Sequence, residues 1–252
     1  MNFKMCLSRK KAVVVLSVVI LAGAFFLLNM ETTISQGVNF EVHDVKMPLY
    51  EKLLDFWTRH NHYGLLTRQI VGDAEKDSDK LLRLFEWTTK NIRPVPLGFP
   101  VIDDHVDNII IRGYGLDDQS ADVFTTLATY AGFHAVMWAL NPDVCNCRYT
   151  VSLVESNGKI LVFDTFSHFY FVNSVGEIAS VDDIKRNPEI VGRTVGNYRL
   201  YGKYEYDRIF QEINAPKRGF FKWTRAEMQM PAMRLAYIIG TKLHLIKPVE
   251  DF

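Results

Sequence analysis

The dipeptide Asn157-Gly158 constrains this chain more than any other short feature. It stands between Tyr149–Glu155 and Lys159–Phe166, two runs rich in β-branched and aromatic residues, and such a pair closes a tight antiparallel hairpin. In that hairpin the numbers of opposed residues sum to a constant. Val151 then faces Asp164, Tyr149 faces Phe166, and all four side chains lie on one face of a sheet. Asp164 is the lone acid in Ile160-Leu161-Val162-Phe163-Asp164-Thr165-Phe166. An acid in so apolar a run needs a partner.

Upstream, Arg112-Gly113-Tyr114-Gly115-Leu116-Asp117-Asp118-Gln119-Ser120 reads as a glycine-loosened loop feeding an acidic helix start. Val123, Phe124, Leu127, Ala128 and Ala131 recur at helical spacing, and Gly132 stops the helix. Asp117 or Asp118 is placed to accept the free N–H groups of the first turn. Enzymes often mount a nucleophile at such a junction, but this one carries none. Asp79–Ile92 predicts a second helix, with Leu81, Leu82, Leu84 and Phe85 apolar, Ser78 as cap, and Pro94 and Pro96 beyond its end. Leu49, Leu53, Phe56, Trp57 and Leu65-Leu66 form a further helical stripe after Pro48, interrupted near Gly64. Later segments predict a short hairpin of Phe169–Val172 with Glu177–Ala179 and a helix from Ser180 that Pro188 ends. Two more helices are expected over Tyr204–Ile213 and Trp223–Ile239, the second interrupted by Pro231.

The N-terminus follows a different logic. Lys4, Arg9, Lys10 and Lys11 precede Ala12–Leu28, an apolar run without charge. Its length suits a membrane-spanning helix better than a cleaved signal core, and no convincing small-x-small site follows it. A retained anchor is expected, with the basic flank in the cytoplasm and everything after Met30 outside. Over the whole chain of 252 residues, 29 Lys plus Arg balance 29 Asp plus Glu, so no global charge draws the chain to nucleic acid. Lys217, Arg218, Lys222 and Arg225 beside Phe220-Phe221 and Trp223 read as a solvated basic face, with contact to anionic lipid as the alternative.

Cys145 and Cys147 are the only cysteines of the exported part, and a bridge between residues two apart is strained, so no disulfide framework is expected. His60 and His62 point to different sides of a helix and make poor joint ligands. Asp103, Asp104, His105 and Asp107 form the most metal-like cluster, yet their spacing fits no ligand pattern and a polar loop is the plainer reading. No cofactor is expected.

The order of parts from Leu81 to Phe166 resembles the transglutaminase-like superfamily of papain-like cysteine catalysts. The resemblance is carried by the helix ending Trp87-Thr88-Thr89-Lys90-Asn91-Ile92, the glycine-rich loop, the helix with Ala121, Phe124, Leu127 and Ala131-Gly132, and the two strands. It implies an α+β fold of helices packed on an antiparallel sheet. It also implies a thiol at a helix N-terminus, an imidazole on the first strand and an acid on the second. Carried over by position, the acid is Asp164. The thiol position falls on Asp117, or on Leu116 in the neighbouring alignment, and the histidine position on Tyr149 rather than Arg148. A phenol is a poor general base at neutral pH.

The resulting expectation divides the chain into a cytoplasmic flank (1–11), an anchor (12–29), a tether (30–45), a transglutaminase-like domain (46–200) and a C-terminal helical extension (201–252). The domain is expected to have lost thiol catalysis and to bind a peptide, glycan or protein partner at the cell envelope. The cleft would lie between the Asp117 helix and the hairpin, with Leu116, Asp118, Gln119 and Cys147 as lining candidates. The alternative is an active hydrolase or acyl transferase using Asp117, Tyr149, Asp164 and Cys147. In the plain reading of the same residues, Asp117 caps its helix and the Tyr149 hydroxyl bonds Asp164. His105 and His134 are the histidines that could reach the corner from elsewhere.

Overall fold

The computed structural model describes residues 9–103, 105–141, 147–210, 213–214, 216 and 221–247. It opens with α1 (Arg9–Leu28), whose segment Lys11–Leu28 is long and apolar enough to cross a membrane and is not buried by the rest of the chain. At 1.5 Å per residue its 20 residues reach about 30 Å, the thickness of a bilayer's hydrocarbon core. The stretch expected as a tether is instead a hairpin, β1 (Glu31–Val38) with β2 (Glu41–Pro48), its ladder running from Glu31↔Pro48 to Val38↔Glu41. Polar composition hid it, because most of its side chains face solvent on both sides.

Pro48 then starts α2 (Leu49–Val71), and the helix runs unbroken through Gly64. A glycine within a helix costs about 1 kcal/mol relative to alanine, and the burial of Tyr63 and Thr67 on the same helix offsets it. α3 (Asp77–Asn91) begins one residue before Ser78, with Lys76 at the cap position, so Ser78 does not cap it. Short β3 (Arg93–Pro94) and β4 (Ile102–Asp103) precede α4 (Val106–Arg112) and β5 (Tyr114–Gly115). α5 (Asp117–Tyr130) is the expected central helix, with every residue from Gln119 to Thr129 buried. α2, α3 and α4 pack around it.

The main sheet is antiparallel in the order β6 (His134–Leu140), β7 (Tyr149–Ser156), β8 (Lys159–Asp164), β9 (Phe169–Tyr170). The register across Asn157-Gly158 is the one the turn dictates, from Ser156↔Lys159 to Ser152↔Phe163. β6 is an element that the sequence reading passes over. Beyond the sheet come α6 (Val181–Arg186), capped by Ser180 and Asp183, α7 (Glu189–Val195), the pair β10 (Arg199–Leu200) and β11 (Tyr204–Glu205), and α8 (Tyr206–Ile209). α8 is a single turn rather than the helix expected to Ile213, and Pro231 opens α9 (Pro231–Lys242) instead of interrupting a longer helix.

Side-chain alternation along the hairpin builds two cores. Val154, Leu161 and Phe163 join Phe124, Leu127, Leu84 and Phe85 on the α5 side. Tyr149, Val151, Leu153 and Val162 point the other way and pack with Phe171, Ile184, Tyr206 and Phe210. Residues beyond 200, expected as an extension, therefore complete the second core.

Candidate functional site

The glycine-rich loop and the start of α5 are held by one side chain. Gln119 Oε1 accepts the Leu116 N–H at 3.1 Å and an Arg112 Nη2 hydrogen at 3.2 Å, while its Nε2 donates to the Ile102 carbonyl at 2.5 Å. To do so it folds back over Gly115, where any Cβ would sit 2.8 Å from that of Gln119. Glycine at 115 is therefore a requirement of contact, and Gly113, in the left-handed region at φ 72°, is one of conformation. Asp118 accepts the Gln119 N–H at 2.8 Å. The cap position of α5 falls on Leu116, so that Asp117 is the first residue of the helix rather than its cap. Its Oδ2 crosses to β7 and accepts the Thr150 N–H at 2.6 Å.

The residue next to Thr150 is Tyr149, fully buried. Its hydroxyl donates to Asp164 Oδ2 at 2.6 Å and lies 2.7 Å from Ser167 Oγ. The Tyr206 hydroxyl donates to the same carboxylate oxygen, and the Ser167 N–H donates to Oδ1 at 2.9 Å. Asp164 thus has the partner its apolar run demands, and the hairpin face it shares with Tyr149 is the one the turn dictates. That face is turned away from α5, toward α6–α8. Between α5 and the hairpin, the seam expected as a cleft is filled by Val123, Phe124, Val154 and Phe163, all fully buried.

Burial sets the electrostatics. It pushes the Asp117 carboxyl up to about 6, against the pull of the Thr150 N–H and with the help of the Asp118 and Asp164 charges. Burial also raises Asp164, opposed by the Ser167 N–H and the two phenols, and raises Tyr149 and Tyr206 well above the usual phenol range. Asp118 shifts upward for the same cause. Tyr201, beside this corner, is pushed up to about 12 by burial and by Asp117, Asp164 and Asp118. A phenol so disfavoured as phenolate donates hydrogen bonds and takes no protons.

One turn along α5, Asp122 is buried and paired with Arg225 Nε at 2.8 Å. Burial pushes this carboxyl up to about 6 despite the Arg225 charge, and its Oδ1 has no hydrogen-bond partner among the described residues. Sequence reading missed the pair and placed Arg225 in a solvated basic face. Lys217, Arg218 and Phe220 of that face lie outside the described residues.

Most of the other sequence candidates lie apart from this corner, although Asp103 is close enough for its charge to raise Asp118 and Asp122. Cys147, a cleft and catalytic candidate in the sequence, is disulfide-bonded and so has no thiol to offer. Cys145 lies outside the described residues. Of the metal-like cluster, Asp107 Oδ1 bonds His62 Nδ1, Asp103 pairs with Gly37 across β1 and β4, and Asp104 lies outside the described residues. Among the described residues no group of three His, Cys, Asp or Glu side chains is arranged to hold a metal ion. His134 pairs with Glu155 at the end of the β6–β7 ladder opposite to Tyr149 and sits 3.5 Å from Glu227 Oε1. A groove of about 830 Å³ lies elsewhere, between the start of α3 and the β7–β8 turn, lined by Asp77, Asp79, Leu82, Ser156, Tyr170 and Ile178.

No protein-family model and no curated protein matches the chain. Among solved structures, a candidate cysteine protease from Cytophaga hutchinsonii overlays with a TM-score of 0.38 at 11% identity, covering 59% of this chain and 69% of that one. A candidate protease from Parabacteroides distasonis does so with a TM-score of 0.35 at 13% identity, over 49% of this chain and 28% of that one. The overlap with protease-like structures is partial and carries nothing about chemistry.

Proposed function

We propose that this chain is a membrane-anchored, extracytoplasmic domain with a degenerate transglutaminase-like core, which binds a peptide, glycan or protein at the cell envelope and performs no thiol acyl transfer. One observation carries the reading. The carboxylate at the acid position already accepts from Tyr149, Tyr206 and the Ser167 N–H, and the donor at the histidine position is the Tyr149 phenol rather than an imidazole. Leu116 and Asp117 at the helix start and the bridged Cys147 support it, because a nucleophile of that class must be a thiolate. With the α5–hairpin seam filled, a ligand would sit elsewhere on the surface, and the open groove beside Asp77, Tyr170 and Ile178 is one candidate. The basic flank and α1 support the anchored topology.

A second reading, an oxygen-acid hydrolase, is favoured by the Asp117 carboxyl at about 6, since a buried acid near neutrality beside two others suits general acid–base work. One experiment separates them. The unreduced full chain in detergent is treated with a thiol-directed electrophile and with activated acyl esters, then read by intact mass and peptide mapping. The binding reading expects Cys147 unlabelled, no acyl adduct, and ester turnover unchanged by Asp117→Asn. A trapped acyl group on Asp117, or turnover lost in Asp117→Asn, would establish the hydrolase.

A further inference from the structure

Helix α9 is apolar, yet most of its large aliphatic side chains are exposed. Leu235, Ile238, Ile239, Leu243 and Leu245 in and after it are exposed, Leu243 by 62% and Leu245 by 77%. Water-soluble surfaces rarely carry so many large aliphatic side chains together. Its placement says what covers them. Just before α9, the Gln229 carbonyl accepts the Tyr130 hydroxyl at 3.0 Å, and that hydroxyl lies 2.7 Å from His60 Nδ1. One turn into α9, the Arg234 guanidinium sits 5.0 Å over the Phe56 ring. α9 therefore starts level with His60 and passes Phe56 on the way to the first residues of α2.

Those first residues lie where α1 ends. The Leu49 N–H donates to the Met30 carbonyl at 2.9 Å, and Met30 follows the last residue of α1 by two positions. From Phe56 back to Leu49 is about 10 Å along α2, and from Arg234 to Lys242 about 12 Å along α9. Continued antiparallel to α2 over those lengths, the C-terminal end of α9 projects to the level of Leu49 and hence of the end of α1. On the same end of α2, Tyr50, Leu53, Leu54 and Trp57 are exposed, and aromatic side chains with one wet and one apolar end favour the headgroup region. From Pro231 to Lys247 there is no acid, while Arg234, Lys242 and Lys247 are basic. That combination suits a lipid headgroup layer.

We infer that α9 and the first two turns of α2 form a second membrane contact, on which the domain lies against the bilayer that α1 enters. The inference rests on the anchored reading of α1, and the two fail separately. The full chain, carrying Cys6→Ser, is reconstituted in vesicles of mixed phosphatidylcholine and phosphatidylglycerol. A nitroxide is attached in turn at Leu235→Cys, Ile239→Cys and Leu243→Cys, and its relaxation by oxygen is compared with that by a water-soluble nickel chelate. Val175→Cys, in a 76% exposed position on the distant turn after Asn173, gives the aqueous reference, and Leu21→Cys reports on α1. The expected result is a reversal of preference, oxygen over chelate, at the three α9 positions relative to Val175. Chelate preference there equal to that at Val175 overturns the inference even when Leu21 reads as lipid. Shielding from both reagents with mutual spin–spin broadening puts a second copy of the chain on α9 and overturns it too. Chelate preference at Leu21 overturns the anchor instead.

Discussion

Replacing Tyr149 by phenylalanine isolates the interaction on which the reading of the corner depends. The change removes one hydroxyl from a fully buried ring and leaves the packing around it. That hydroxyl donates at 2.6 Å to a carboxylate with no solvent exposure, and a hydrogen bond to a charged group contributes about 1.5–3 kcal/mol. Tyr206 and the Ser167 N–H keep their bonds, so a loss of about 2 kcal/mol is expected. At about 2–4 °C per kcal/mol for a domain of this size, Tm falls by about 6 °C. The sign of the pH dependence follows from the donor's preference for the ionised form. Removing it raises the folded pKa of Asp164 further above the unfolded value, so the penalty grows as pH rises through that pKa and fades in acid. Urea unfolding of the full chain in micelles, followed by tryptophan fluorescence at a series of pH values from acid to alkaline, measures both quantities. In an Asp164→Asn background the same substitution breaks only a neutral bond, costs about 1 kcal/mol and loses its pH dependence. A penalty that stays the same over the whole pH series, or is unchanged in the Asp164→Asn background, would refute the claim that Tyr149 serves an ionised Asp164.

Two further outcomes are expected. Asp117 has a folded pKa raised to about 6, so its contribution to stability is present below its unfolded value and lost as pH rises through 6. Asp117→Asn, which can still accept the Thr150 N–H, is therefore more stable than the parent by about 1–3 kcal/mol at alkaline pH, with little difference in acid, measured by the same urea titration. Arg225→Ala strands the buried Asp122 carboxylate and costs about 1–3 kcal/mol at alkaline pH. With the Asp122 carboxyl already near 6 and raised further by loss of the cation, protonation relieves that cost in acid, so thermal melts of this variant and the parent converge as pH falls.

The parts of the corner that were legible in the sequence are those that local geometry dictates. Asn157-Gly158 and the two-residue period of a strand place Tyr149 and Asp164 on one face, whatever the rest of the chain does. The 3.6-residue period places α5 between Asp117 and Gly132, because burying Val123, Phe124 and Leu127 together requires it. The β1–β2 hairpin was not legible, since a strand pair with neither face in a core shows no apolar alternation. The Asp122–Arg225 pair was not legible either, for its two residues are joined only by the way α5 and the segment before α9 meet.

Sequence alone thus determined that an acid would sit on an apolar hairpin face beside a phenol, and that no thiol would stand at the start of the helix. Tertiary structure decided which layer would cover that face, bringing Tyr206 to Asp164 and turning both away from α5. The physical reason is one of range. Turn chemistry and strand alternation act over a few residues, whereas the partner of a buried charge is chosen by whichever distant segment buries it.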